Sequence, residues 1–144
     1  MTLAEYSQET RDLLMRAQLH VATSTEIDCP TDDIVHFDFN PGNILIADGQ
    51  VRGVVDWDGA TAGDRMFDVV TLLFYTRVDR VTRQALWDYL REHSSFPAVS
   101  LYLAHMIIRQ LDWSIRHHEA ESVRLWTDNA WNLLEELIPG MNPT

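Results

Sequence analysis

Residues 36–58 hold the groups whose types and spacing could do chemistry. The run is His36-Phe37-Asp38-Phe39-Asn40-Pro41-Gly42-Asn43-Ile44-Leu45-Ile46, followed by Val54-Val55-Asp56-Trp57-Asp58. Asp38 and Asn43 lie five positions apart across a Pro-Gly turn. Asp56 ends a strand-like run whose partner begins at Ile44. A hairpin returns its two ends to one place, so Asp56 is expected beside the 38–43 loop. Two carboxylates and an amide oxygen would converge there. Hard oxygen donors of this kind suit Mg²⁺, which takes one or two carboxylates and completes its shell with water and phosphate oxygens. A carboxylate held nearby can accept a proton from a hydroxyl.

The elements that must position these residues are a hairpin and a set of helices. Ile34-Val35 is a short β-branched start. Ile44-Leu45-Ile46 and Val51-Arg52-Gly53-Val54-Val55 are apolar runs joined through Asp48-Gly49, a strong short-range hairpin signal. Such a hairpin is too small to be stable alone and must lie on something helical. Residues 3–22 read as one amphipathic helix, with Leu3, Tyr6, Leu13, Leu14, Ala17 and Val21 near one face. Residues 23–33, broken by Pro30, read as a loop. Asp64 is placed to cap a helix running to about Thr76. Residues 79–93 read as a helix with Val81, Ala85, Leu86, Tyr89 and Leu90 inward. A long helix spans Phe96 to His118, with Pro97 tolerated in its first turn. Residues 120–138 form the last helix, which Pro139-Gly140 is expected to stop. Trp113, Trp126 and Trp131 fall at helical spacing and read as core. The fold class expected is α+β, mostly helical, in one domain over residues 1–144.

Composition narrows the chemistry. There are 22 acids and 11 bases in 144 residues, a net charge of −11, and no base is lysine. That excludes a Walker A loop, a Schiff base and a lysine clamp on nucleotide. The acidic surface argues against nucleic acid and anionic membranes and suits a cationic small molecule. Cys29 is the single cysteine, so neither an internal disulfide nor a cysteine zinc site is expected. Glu5, Glu9, Arg11 and Asp12 near the start do not read as a signal peptide, and no apolar run has membrane-spanning length. A cytoplasmic location is the expectation.

The spacing H-x-D-x-x-x-x-N, followed by an Asp after a strand, is the catalytic-loop pattern of protein kinases. In detail the chain resembles the aminoglycoside phosphotransferase and choline kinase-like family, which shows H-G-D-x-x-P-x-N, a hairpin, I-D-W-[DE] and G-D-x-x-x-D. The corresponding residues are His36-Phe37-Asp38, Pro41-Gly42-Asn43, Asp56-Trp57-Asp58 and Gly63-Asp64-Arg65-Met66-Phe67-Asp68. The resemblance implies the C-terminal lobe of a protein-kinase-like fold, with the hairpin carrying the catalytic loop. It implies Asp38 as the base that takes the substrate hydroxyl's proton. Asn43 and Asp56 would be Mg²⁺ ligands bridging ATP phosphates. His36 and Asp68 would brace the loop through backbone hydrogen bonds. Asp58 would either support the metal ligands or be a charge on the approach to the next helix.

The resemblance is to one lobe. Thirty-five residues precede His36, the six glycines form no Gly-rich loop, and lysine is missing, so the nucleotide lobe is expected to be absent. Residues that bind the nucleotide base cannot be named. Phe37 stands where the family has glycine, Asn40 where histidine is common, and Arg65 where proline is common. The leading reading is a truncated phosphotransferase-family lobe, acting on a small-molecule hydroxyl and weak or inactive alone. The alternatives are a non-catalytic binding module or pseudokinase lobe, and another Mg²⁺-dependent phosphoester activity. A homo-oligomer could cover the surface left by the missing lobe.

Overall fold

The computed structural model describes residues 2–23, 27, 29–77 and 79–141. Part of the loop read at 23–33 lies outside the described residues. Within them, helix α1 (Leu3–Tyr6) and helix α2 (Gln8–Thr23) are followed by strand β1 (Asp33–Val35) and a 3₁₀ turn at Pro41–Asn43. Strands β2 (Ile44–Ala47), β3 (Gln50–Val54) and β4 (Thr61–Gly63) come next. Helices α3 (Met66–Tyr75), α4 (Arg80–His93), α5 (Phe96–His117) and α6 (Ala120–Met141) complete the order.

The β2–β3 hairpin forms where Asp48-Gly49 places it. Both residues have positive φ, 53° and 69°, as a two-residue turn matched to strand twist requires. Ile44 pairs with Val54, and the register shifts between Leu45 and Ile46, leaving Arg52 as the extra residue of a bulge. A second antiparallel pair joins β1 to β4, with Ile34 opposite Ala62. β4, Thr-Ala-Gly, carries no alternating apolar pattern and so has no local strand signal.

Helix α5 is the centre of the helical body and packs on α2, α3 and α6. Its apolar residues are buried around most of its circumference, including Val99, Leu103, Met106, Ile107 and Leu111, the pattern of an interior helix. Ser95 caps it by accepting from the Ala98 N–H at 3.3 Å. Among the described residues, no helix is long and apolar enough to cross a membrane.

Four local expectations are corrected. The helix over 3–22 breaks at Ser7, whose backbone is extended. The Ser7 N–H donates to Thr10 Oγ1 and the Thr10 N–H to Ser7 Oγ, each at 3.1 Å, so Ser7 starts a second helix. Helix α4 buries Arg83, Trp87 and Leu90, whereas Val81 is 80% exposed. Glu136 on α6 is the reason: it accepts from Arg83 Nε at 2.7 Å and Trp87 Nε1 at 3.1 Å, turning that polar-tipped face inward. Helix α6 runs through Pro139 to Met141. A proline this near the C-terminus costs one intrahelical bond. Arg91 Nη1, donating to the Gly140 carbonyl at 2.9 Å, holds the last turn. Trp126 and Trp131 pack on the core, but Trp113 is 48% exposed.

Candidate active site

β1 delivers the chain to the 36–43 loop, and α3 and α5 flank it. His36 is buried and its imidazole links both sides of the loop. The Asp38 N–H reaches His36 Nδ1 at 3.3 Å, and Nε2 lies 2.8 Å from the Val55 carbonyl. An acceptor at Nδ1 and a donor at Nε2 describe the neutral Nε2–H tautomer. Trp57 and Phe39 enclose the ring.

Asp68 lies in the first turn of α3, where the helix dipole favours an acid. Its carboxylate faces the loop backbone. Oδ2 accepts the His36 N–H at 2.7 Å and Oδ1 accepts the Phe37 N–H at 3.0 Å. Burial pushes the Asp68 pKa up, against the opposing pull of these two bonds and of the Arg109 charge. Phe37 has φ of 71°, a left-handed conformation uncommon for a bulky side chain. Its ring stacks on Phe67 at 4.9 Å and meets the edge of His105.

Asp38 carries the densest set of bonds. Oδ2 accepts from Asn40 Nδ2 at 3.1 Å and Asn43 Nδ2 at 3.3 Å, and its carbonyl accepts from Asn43 Nδ2 at 2.9 Å. Oδ1 accepts from Arg109 Nη2 at 3.1 Å. Arg109 Nη1 also donates to the Phe37 carbonyl at 2.5 Å, and the guanidinium lies over the Phe37 ring. The loop is therefore held from below by Asp68 and from the side by Arg109.

A cleft of about 400 Å³ opens at Asp38, lined also by Asn40, Tyr75, Arg109, Gln110 and Trp113. The Tyr75 hydroxyl donates to Gln110 Oε1 at 2.6 Å. Burial first, and then the Asp38 charge, push the Tyr75 pKa up. His105, beside the same loop, is pushed down by burial and by Arg109.

The structure brings Asp38 and Asn43 into direct contact. Asp56 comes to the same end of the hairpin, because the Val55 N–H donates to the Asn43 carbonyl at 3.0 Å while the Val55 carbonyl faces His36. Asp56 itself has φ of 65° and an exposed side chain. It does not line the 400 Å³ cleft. Asp58 is exposed in the turn closed by the Ala60 N–H on the Trp57 carbonyl, away from the loop's hydrogen bonds. Asp64 accepts from the Met66 N–H at 2.9 Å and from the Tyr102 hydroxyl at 2.8 Å, a structural role at the start of α3. Sequence reasoning missed Arg109, Tyr75 and Gln110. Their signal was the spacing of polar residues along otherwise buried helices, which alone points to no particular partner.

The donors fit Mg²⁺. Asn43 Nδ2 is committed to Asp38, which leaves its amide oxygen for a cation, and Asp56 adds one exposed carboxylate. Among the described residues no three His, Cys, Asp or Glu side chains cluster as an all-protein cage. A short set of hard oxygens of this kind matches an ion that relies on phosphate and water for its remaining ligands.

This combination of helical body, hairpin and Asp-Asn loop is that of a kinase-like fold, and the chain belongs to the phosphotransferase enzyme family, whose sequence model matches residues 26–102. Among particular proteins, it is similar to hygromycin-B 4-O-kinase of Escherichia coli, with 29% identity over 86 residues, 59% of this chain and 25% of that protein. In fold it is similar to a thermostable mutant of aminoglycoside phosphotransferase APH(4)-Ia in its apo form, with TM-score 0.70 and 20% identity over 96% of this chain and 47% of that one. The same enzyme in ternary complex with AMP-PNP and hygromycin B matches with TM-score 0.68 and 21% identity, over 96% of this chain and 46% of that one. The chain thus spans a quarter of the length of the curated relative and about half that of the solved structures.

Proposed function

We propose that these residues form the acceptor-side lobe of an ATP- and Mg²⁺-dependent kinase of a small-molecule hydroxyl. The observation that carries this reading is the Asp38 carboxylate, held by Asn40, Asn43 and Arg109 at the mouth of a cleft. Its Oδ1 accepts one bond and retains a lone pair for the acceptor. The hydroxyl's proton passes to this oxygen as the oxygen becomes nucleophilic. Asn40 and Asn43 keep the carboxylate from rotating away, and Asp68 fixes the backbone that carries it. His36, in its neutral tautomer, ties the loop to Val55. Asn43 and Asp56 would hold Mg²⁺, which when bound supplies charge neutralisation at phosphate oxygens. The single-domain reading of residues 1–144 is part of the proposal. So is the absence from them of the nucleotide-holding lobe. The exposed Leu45, Ile46 and Val51 of the hairpin are surface such a lobe, or a second copy, would cover.

A second reading, a binding module that kept the lobe without the chemistry, is favoured by the lack of lysine and of a Gly-rich loop. Calorimetry and label transfer separate the two. The 144-residue chain is expected to bind Mg-ATP with Kd weaker than about 1 mM, about −4 kcal/mol. A micromolar constant would show that nucleotide-binding groups are present after all. At saturating Mg-ATP, slow transfer of γ-phosphate label to a hygromycin B acceptor, abolished by Asp38→Asn, supports the kinase. Equal transfer by parent and variant removes Asp38 as the base. No transfer by either, with acceptor bound, supports the binding module.

A further inference from the structure

We propose that Phe37 is a positioning residue: its ring seats the Arg109 guanidinium, and the seated guanidinium fixes which way the Asp38 carboxylate faces. This rests on reading Asp38 as the group that meets the acceptor hydroxyl, and it names what orients that group. Phe37 has φ of 71°, a conformation that a β-carbon disfavours and that glycine adopts freely. A bulky residue persists there only where its surroundings over-determine it. At Phe37 they act on both sides of the residue. Its N–H donates to Asp68 Oδ1 at 3.0 Å, and its carbonyl accepts from Arg109 Nη1 at 2.5 Å.

The ring is placed as firmly as the backbone. It lies nearly parallel to the buried Phe67 ring of α3, with 10° between the planes and 4.9 Å between centroids. His105 meets it edge-on at 5.6 Å. Burial first, and then Arg109, push the His105 pKa down, so this neighbour is a neutral imidazole at neutral pH. Arg109 Cζ lies over the Phe37 ring, 5.1 Å from its centroid, where the ring quadrupole attracts a cation. From that seat Nη1 reaches the Phe37 carbonyl and Nη2 reaches Asp38 Oδ1 at 3.1 Å. Asn40 and Asn43 hold only Oδ2. The terminal torsion of a carboxylate is soft, so the bond to Oδ1 completes its orientation.

Arg109 has competing partners. The Tyr75 hydroxyl contacts it in the cleft. Asp112 follows three positions later on α5 and lines with it the groove beside Val21 of α2, a spacing at which helix side chains pair. A long side chain gives up rotamer freedom to stay in any one arrangement. The Phe37 ring selects the arrangement that points the guanidinium at Asp38.

The test follows Arg109 and Asp38 by NMR in the isotope-labelled 144-residue chain at neutral pH. The parent should show separate Nη signals for Arg109, the sign of slowed guanidinium rotation. Phe37→Leu, apolar without a ring, should speed that rotation about two- to fivefold, the size of one exposed cation–π contact, and should move the Asp38 Cγ signal. Phe37→Gly, which relieves the backbone strain and so guards against a folding failure, should do the same. Phe37→Tyr, which keeps the ring, should match the parent. In an Arg109→Gln background, Phe37→Leu should move the Asp38 signal no further, because the ring acts through the guanidinium. Rapid Arg109 rotation in the parent, or rotation unchanged in both Phe37→Leu and Phe37→Gly, overturns the seat. A Phe37→Tyr variant as mobile as Phe37→Leu overturns the ring as its cause. Equal movement of Asp38 with and without Arg109 overturns the route and makes Phe37 a packing residue. All of these are read without phosphate transfer, so they stand or fall apart from the label-transfer result that decides the kinase reading.

Discussion

Replacing Asp68 by alanine should destabilise the protein through the loop it supports. The carboxylate accepts the His36 N–H at 2.7 Å and the Phe37 N–H at 3.0 Å, and alanine leaves both donors without a protein partner. An unsatisfied buried donor costs about 1–3 kcal/mol. The site is partly buried, so water can reach it in part, and the expected loss is about 2–4 kcal/mol rather than the full sum. With a urea m-value of about 1–3 kcal/mol/M, the unfolding midpoint should fall by about 1–2 M. The difference between parent and variant should also depend on pH. Burial raises the Asp68 pKa above 3.8 in the folded protein, so between 3.8 and that raised value the folded state binds more protons than the unfolded one. Stability from this group therefore grows as pH falls through the folded pKa and is complete below 3.8. The gap between parent and Asp68→Ala should widen from pH 7 into that window, other carboxylates cancelling in the comparison. Coincident urea melts, or a gap that narrows on acidification, would refute the account of Asp68.

Two further outcomes follow from named contacts. Asp56→Asn should weaken Mg²⁺ binding, followed by NMR titration, yet shift stability by less than about 0.5 kcal/mol, since the side chain is exposed and Asn tolerates positive φ; unchanged Mg²⁺ binding would remove Asp56 from the metal set. Gly140→Ala should cost about 1–3 kcal/mol in thermal or urea melts, because a Cβ there would lie 2.7 Å from Trp87 Cδ2, and a neutral result would mean that α6 does not end against α4 as described.

Local signals in the sequence carried the hairpin, the loop and most helix boundaries. Asp48-Gly49 can adopt paired positive φ angles that few other dipeptides tolerate, so the turn follows from these two residues, while the register shift at Arg52 does not. Pro97 marks the first turn of α5 in the same way, as a residue that needs no N–H donor there. The motif at 36–43 placed Asp38 and Asn43 together because five residues around a Pro-Gly turn leave little freedom. What needed the tertiary structure is whatever depends on contacts between distant elements. Arg109 lies 71 residues from Asp38, and nothing in the local pattern of α5 says which carboxylate its guanidinium will meet. The inward face of α4 was hidden because Arg83 is buried by a partner on α6, and hydropathy assigns a charged residue to solvent. The helix past Pro139 persists because Trp87 and Arg91 hold Gly140, which overrides a local stop signal. Trp113 has the helical spacing of a core residue, yet it stands at the cleft, because spacing reports the face of a helix and only packing decides what that face meets.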